Sequence, residues 1–237
     1  MKAIGIIPAR WGSTRLQGKI LANIAGKPMI QHVWERAKGS RRLNDLLIAC
    51  DDERILKAAK TFGAKAVLTS KDHQSGSDRI AEAVKPLEFD IVVNIQGDEP
   101  LIAAKIIDDL VDALNNDADC QMATVVKPIV SKADLSNPNV VKVVVGPDNY
   151  AVSFSRQAPK DKGKEVYKHL GIYAYRKNFL LKFSQMPRSK NEEKEKLEQL
   201  RALDGGYKIK TVKTKIETIG VDTADDLEKV KAILAQK

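Results

Sequence analysis

The sequence predicts an α/β protein: a mostly parallel sheet with helices on both faces, extended by a smaller lobe of mixed strands. Three observations lead there. Short β-branched runs alternate with helical patterns through the first half of the chain, the order imposed by a parallel sheet with crossover helices. The run "FDIVVNIQGDEP" (89–100) opens nearly all apolar, as suits a strand buried on both faces. Beyond about residue 120 the rhythm changes to strands separated by turns, with Pro138, Asn139, Pro147 and Asp148 as punctuation.

The elements follow in order. "AIGIIPA" (3–9) is expected as a strand and "KPMIQHVWERAKGS" (27–40) as a helix in which Met29, Ile30, Val33 and Ala37 share a face. "DLLIACDD" (45–52) is a second strand, "DERILKAAKTFGA" (52–64) a helix stopped at Gly63, and "KAVLTS" (65–70) a third strand. "SDRIAEAVKPL" (77–87) reads as a short helix capped by Ser77, followed by the strand 89–100 and the amphipathic helix 103–116. Later strands are expected over "MATVVKPI", "VVKVVVG", "YAVSFSR" and "HLGIYAYR", then a charged helix at 191–202 and the strand "YKIKTVKTKI" (207–216). The last helix begins after Thr223, where Thr223 and Asp226 have the spacing of a capping box with Asp in place of Glu.

Composition narrows the function classes. The chain has 237 residues and is 43% hydrophobic, enough for one large domain with a sizeable core. No apolar run approaches the roughly 18 residues that span a bilayer, and Met1-Lys2 leads straight into a strand with no signal-peptide pattern, so a cytoplasmic protein with no membrane partner is expected. Cys50 and Cys120 lie far apart, outside any metal-type spacing, and are expected as packed thiols. The formal charge is +9, but aromatic residues make up only 5% and the lysines lie in scattered patches. Such an excess fits nucleic acid, an acidic membrane surface or an anionic small substrate. Nucleic-acid binders interleave basic runs with aromatics, so no nucleic-acid partner is expected. The patches read as solvated loop and edge-strand charge, and net charge alone decides nothing.

In open parallel sheets, ligands bind beyond the carboxyl ends of the strands. The segments that follow the first four strands are Pro8 to Lys19, then Cys50 to Arg54, then "SKDHQSGSDR" (70–79), then "QGDEP" (96–100). One rim would therefore gather Arg10, Arg15, Lys19, Arg79 and Asp98 with glycine-exposed backbone amides. Basic side chains and free N–H groups cradle phosphates, and a carboxylate among them is most sensibly a Mg²⁺ ligand. The glycine spacing of "GSTRLQGKI" fits neither a Walker loop nor a dinucleotide fingerprint. On residues alone a plain surface loop and a turn-capping Asp98 stay open.

The segments "IIPARWGSTRLQGKIL", "DHQSGSDR", "NIQGDEP", "KHLGIYAYR", "EKLEQLR" and "GVDTADDLEKV" narrow this further. In this order and at these distances the chain resembles the 3-deoxy-manno-octulosonate (KDO) cytidylyltransferases, over nearly its whole length. The resemblance implies a Rossmann-like, glycosyltransferase-A-like nucleotidyltransferase fold, Mg²⁺ dependence and a homodimer. It also implies the reaction of CTP with KDO to CMP-KDO and pyrophosphate, a step toward lipopolysaccharide precursors. As a single domain over 1–237, the chain would bind CTP mainly through 1–118, contact sugar and partner subunit through about 119–190, and return to the main sheet over 191–237.

Residue by residue, the resemblance puts Arg10, Ser13, Arg15 and Lys19 on the triphosphate loop and Ser75, Gly76 and Arg79 on the segment that reads cytosine and ribose. Gln96 and Asp98 fall between nucleotide and sugar, and Asp222 in "GVDT" corresponds to the second metal-binding aspartate beside Asp98. His169, Tyr173, Glu198 and Gln199 match positions expected to contact KDO, with Arg156 in "SFSR" a further candidate. Arg10, Arg15, Lys19, Asp98 and Asp222 would carry the catalysis. Taken alone, a histidine such as His169 at the start of an apolar strand is most often a packing or surface residue, core packing is an alternative for Tyr173, and Glu198 and Gln199 read as solvated helix surface. Gln17 and Ile20 stand where the family commonly has Pro, which loosens the loop's unbound ensemble. Other sugar acids, such as the 8-amino analogue of KDO or sialic acid, and sugar 1-phosphates with UTP or dTTP, would use the same loop. A non-catalytic basic nucleotide- or RNA-binding module would explain the charge but not two separate strand-end aspartates.

Overall fold

Strand β1 (Ala3–Ala9) opens a computed structural model that describes residues 1–12, 17–159 and 165–235. Its first five residues are all buried, and since successive side chains alternate between faces, both faces of the strand are covered. A two-residue hairpin, β2 (Asn23–Ile24) and β3 (Lys27–Pro28), leads into helix α1 (Met29–Ala37). Then come β4 (Asp45–Cys50), α2 (Glu53–Thr61), β5 (Lys65–Leu68), α3 (Gly76–Val84), β6 (Ile91–Asn94) and α4 (Ala104–Asn115). All four expected strands and four expected helices of this half are present. Met29, Ile30, Val33 and Ala37 are the buried face of α1, as the periodicity requires.

The chain forms two compact units, one of Met1–Asp108 with Glu217–Lys237 and the other of Asp109–Ile216. In the first, β6, β1, β4 and β5 pair side by side, all parallel. The register places Ala9 opposite Cys50 and Cys50 opposite Leu68. The segments starting at Arg10, Asp51 and Thr69 therefore leave from one edge of the sheet, as the sequence predicted. Fully buried Ile and Val side chains on β1, β4 and β6 form the core, each contributing ~1.5–3 kcal/mol by leaving water. The closing helix α9 (Ala224–Ala235) belongs to this unit and starts with the expected capping box: Thr223 Oγ1 accepts from Asp226 N at 3.2 Å while Asp226 Oδ2 accepts from Thr223 N at 3.1 Å.

The second unit contains β7 (Met122–Pro128), α5 (Lys132–Ser136), β8 (Lys142–Val145), β9 (Ala151–Ser155), β10 (Glu165–Arg176), α6 (Lys177–Phe183), α7 (Lys190–Glu195), α8 (Leu200–Asp204) and β11 (Ile209–Lys213). Its strands pair in the order β11, β7, β10, β8, β9, with only the β11–β7 pair parallel. This is the mixed lobe read from the sequence, with different borders. Because β11 pairs with β7, residues up to Ile216 stay with this unit, and only the chain from Glu217 joins the first.

Two local expectations need correction. Ser75, not Ser77, caps α3: its Oγ accepts from Asp78 N at 3.1 Å, whereas Ser77 is buried one residue inside the helix. The charged segment 191–202 is not one helix but two short ones. Lys196 ends α7 in the left-handed region at φ 55°, and Glu192 of α7 pairs bidentately with Arg201 of α8, Oε1 to Nη2 at 2.5 Å and Oε2 to Nε at 2.8 Å. Both side chains are less than a tenth exposed, so satisfying this buried pair requires the chain to fold back. Both cysteines are buried free thiols, as expected, and burial pushes Cys50 up to about 11, so it stays protonated and unreactive.

Candidate active site

A cavity of about 240 Å³ opens at the strand ends of the first unit. Of the sequence-predicted site residues, Arg10, Lys19, Ser75, Gly76, Arg79, Gln96, Asp98 and Asp222 line it together, along with His73 and Gln74. Ser13 and Arg15 lie outside the described residues.

Three chain segments meet around Lys19. Its Nζ donates to Asp98 Oδ2 at 2.7 Å, to the Val221 carbonyl at 2.8 Å and to Asp222 Oδ1 at 3.2 Å. The Val221 N–H in turn donates to the Asp98 carbonyl at 2.8 Å. One ammonium thus sits between two carboxylates that are more than 120 residues apart in sequence, and only 14% of its side chain is exposed. Among the described residues no group of three or more His, Cys, Asp and Glu side chains gathers as a metal cluster. Asp98 Oδ2 and Asp222 Oδ1 nevertheless converge on one point, which the Lys19 ammonium fills at 2.7 and 3.2 Å. Two carboxylates completed by phosphate oxygens and water are a donor set that suits Mg²⁺.

The turn that carries Asp98 is held against β1. A Cβ at Gly97 would lie 2.8 Å from the Pro8 carbonyl oxygen and 2.8 Å from Ile20 Cδ1, so nothing larger than glycine fits without moving backbone. Gly97→Ala is expected to cost ~1–3 kcal/mol by overpacking, lowering the melting midpoint by several degrees in a chain of this size. A scanning-calorimetry midpoint equal to that of the parent would contradict the tight fit.

Arg79, on the segment expected to read cytosine and ribose, lines the cavity with its guanidinium held by neighbouring groups. Its guanidinium is 4% exposed and donates to Asp51 Oδ2 at 3.1 Å, to Thr69 Oγ1 at 2.6 Å and to the Ser70 carbonyl at 3.2 Å. Asp51 is a residue that sequence reasoning placed on the rim without giving it a role. Its other oxygen accepts the Trp11 N–H at 2.8 Å. His73 contacts Glu82 of α3, whose carboxylate also accepts the Ser70 N–H; the His73 partner holds that carboxyl below its usual range.

In the second unit, His169, Tyr173 and Gln199 come together. Thr124 Oγ1 lies 2.9 Å from the Ile172 carbonyl and 2.9 Å from His169 Nε2. A carbonyl only accepts, so the hydroxyl proton is committed there and His169 Nε2 carries the proton that Thr124 receives. Nδ1 is then left as an acceptor on a neutral imidazole, and burial pushes His169 down to about 3. Its ring packs against Phe154 and Tyr173 at centroid distances of 5.2 and 5.4 Å. Tyr173 Oη donates to Gln199 Oε1 at 3.1 Å, and burial raises the Tyr173 phenol well above its ordinary value.

Gln199 is 3% exposed, and its Nε2 has no hydrogen-bond partner among the described residues, so it is no solvated helix residue. Glu198 lies beside it, 3.7 Å from the Arg201 guanidinium. Arg156 is engaged elsewhere: its Nε donates to the Glu195 carbonyl at 2.9 Å and its N–H to Glu195 Oε2 at 3.1 Å.

His169 makes stability pH-dependent with a definite sign. Its folded pKa of about 3 lies below the ordinary ~6.5 of the unfolded chain. Between those values the unfolded chain binds the extra proton, so the contribution is present above pH ~6.5 and is lost as pH falls, by up to ~1.4 kcal/mol per pH unit. His169→Gln is expected to flatten the fall of urea-unfolding free energy between pH 6.5 and 4.5. Parallel curves for parent and variant would contradict the buried neutral imidazole.

A parallel sheet whose carboxyl edge carries a basic cavity with two convergent aspartates is the arrangement of a Rossmann-like nucleotidyltransferase. The cytidylyltransferase family model matches residues 4–211, and the chain belongs to that family. It is 50% identical to the 3-deoxy-manno-octulosonate cytidylyltransferase of Syntrophobacter fumaroxidans, covering 100% of this chain and 98% of that one. The identity with the protein of the same name from Geotalea uraniireducens is 47%, over 97% and 98% of the two chains. Among solved structures, CMP:2-keto-3-deoxy-manno-octonic acid synthetase complexed with CTP superposes with a TM-score of 0.95 at 44% identity, covering 100% of this chain and 99% of that one.

Proposed function

We propose that this chain transfers CMP from CTP to the anomeric hydroxyl of KDO, releasing pyrophosphate, as a step in lipopolysaccharide precursor synthesis. The observation that carries the reading is the Lys19 ammonium held between Asp98 and Asp222 in a cavity also lined by Arg10 and Arg79. Both substrates are anions, and their repulsion must be cancelled before the hydroxyl oxygen can bond to the α-phosphorus. In that step the bond from the α-phosphorus to the bridging oxygen breaks, and pyrophosphate leaves with the electron pair while the hydroxyl proton passes to solvent.

Arg10, Arg15 and Lys19 supply positive charge to the triphosphate as the negative charge moves onto the leaving group. Ser75, Gly76 and the amino end of α3 face the nucleoside, with Arg79 behind them. Asp98 and Asp222 hold Mg²⁺, which supplies Lewis-acid polarisation and a lowered hydroxyl pKa when bound. Gln96 lies between nucleotide and sugar. In the second unit, His169 Nδ1 accepts from a sugar hydroxyl, and Gln199 Nε2 donates to one, with Tyr173 and Glu198 beside them. Arg156 positions α7 through Glu195 rather than touching sugar. The chain acts in the cytoplasm as a homodimer with no nucleic-acid or membrane partner.

Purified protein with CTP, KDO and Mg²⁺ should release pyrophosphate and form a phosphodiester detectable by phosphorus NMR, and EDTA should stop both. Undiminished release in EDTA would overturn the metal role, and release without KDO would overturn the transfer reaction. Light scattering giving the mass of a single chain would overturn the dimer.

A further inference from the structure

We propose that Asp51, Trp11 and Arg54 form a brace that positions both ends of the triphosphate loop, a role that rests on the nucleotide reading of the cavity. Trp11 follows Arg10 directly and Gly18 precedes Lys19 directly, so whatever fixes Trp11 and Gly18 fixes where two cavity cations start. The two ends are tied to one another: Gly18 N donates to the Trp11 carbonyl at 3.2 Å. Gly18 adopts φ +67°, and a Cβ on it would lie 2.9 Å from Trp11 Cη2, so the indole rests directly against that glycine. Glycine is needed there for both backbone and contact.

The pair of ends is anchored to the rest of the unit at two points. Asp51 Oδ1 accepts the Trp11 N–H at 2.8 Å while its Oδ2 takes the buried Arg79 guanidinium, which also reaches Thr69 and Ser70. One carboxylate therefore ties the loop after β1 to α3 and to the segment after β5. Arg54 provides the second anchor. Its guanidinium lies 3.6 Å from the centroid of the Trp11 ring, a close cation–π contact. Arg54 is itself aimed by Asp52, which accepts Nε and Nη2, each at 2.7 Å, and caps α2 by accepting the Arg54 N–H at 2.9 Å. This pairing holds the Asp52 carboxyl well below the usual range, so the anchor persists through neutral and mildly acidic pH.

None of these three side chains lines the cavity, so they are positioning residues. Without the brace the loop ends sample more arrangements, and apparent CTP affinity falls in proportion to the lost competent fraction while the chemistry of the bound state is unchanged. Trp11→Leu and Arg54→Gln are expected to raise the KM for CTP, roughly tenfold and three- to fivefold, with kcat within about twofold of the parent. Trp11→Phe should restore most of the loss.

The chain has two tryptophans, so in a Trp34→Phe background the emission reports Trp11 alone. It should change on adding CTP, with a midpoint that moves in Arg54→Gln by the same factor as KM. Asp51→Asn is the harsher variant because it also leaves Arg79 buried without its carboxylate, so the surface variant Arg54→Gln decides. An unchanged KM in both Trp11→Leu and Arg54→Gln, a loss confined to kcat, or Trp11 emission indifferent to bound CTP would overturn the brace. Calorimetry of the parent separates this from the wider reading: no CTP binding by the unmodified chain would overturn the cavity's assignment itself, and the brace with it.

Discussion

Asp98→Asn is expected to lower turnover on the order of 10²-fold or more, the scale of losing one preorganised electrostatic group. The substitution keeps the shape of the side chain and removes its charge. Asp98 sits at the end of the turn after β6, its Oδ2 2.7 Å from Lys19 Nζ and its backbone carbonyl fixed by Val221 N–H at 2.8 Å. The side chain is therefore held where Asp222 converges, and halving the carboxylate charge weakens the Mg²⁺ set and the neutralisation of two anionic substrates together. Stability should change little, because the Asp98 side chain is a third exposed and its ion pair is partly screened. Steady-state rates at saturating Mg²⁺ check this. Near-normal turnover would remove Asp98 from the chemistry.

Lys19→Ala is expected to lower kcat/KM for CTP by roughly 10²–10³-fold, comparable to removing an oxyanion-type donor. Its ammonium is the only described side chain that bonds both Asp98 and Asp222, so without it two carboxylates face the triphosphate with less compensating charge. Its third bond, to the Val221 carbonyl, gives the residue a structural share as well. The melting midpoint should thus fall by a few degrees while the use of CTP collapses. Parallel collapse of both would make Lys19 a structural tie between the loop after β1 and the segment before α9.

The sequence carried the first unit further than the second, for physical reasons. β1 and β6 are short and β-branched, β4 is a short apolar run, and α1 and α2 show clear apolar periodicity, so local pattern and global fold agree. Arg10, Lys19, Arg79 and Asp98 followed from the parallel-sheet rule alone, whereas Asp222 was legible only through the family resemblance. What was illegible depended on tertiary pairing. Nothing local marks Lys196 as the break between α7 and α8, since it is set by the Glu192–Arg201 pair. The same break buries Gln199, which a charged-helix pattern assigns to solvent. Arg79 was legible as a rim cation but not as the partner of Asp51, because the partner lies 28 residues away. The signal was present in "CDDER", where two carboxylates follow a buried strand end beside a basic loop.

The most direct test crosses CTP, UTP, dTTP and ATP with KDO, its 8-amino analogue, N-acetylneuraminate and glucose 1-phosphate, following pyrophosphate release with Mg²⁺. The proposed function, supported by the 3-deoxy-manno-octulosonate cytidylyltransferase relatives, predicts release confined to CTP with KDO. Release with a different nucleotide or sugar, at a comparable rate, would contradict the substrate assignment while leaving the fold and the two aspartates in place.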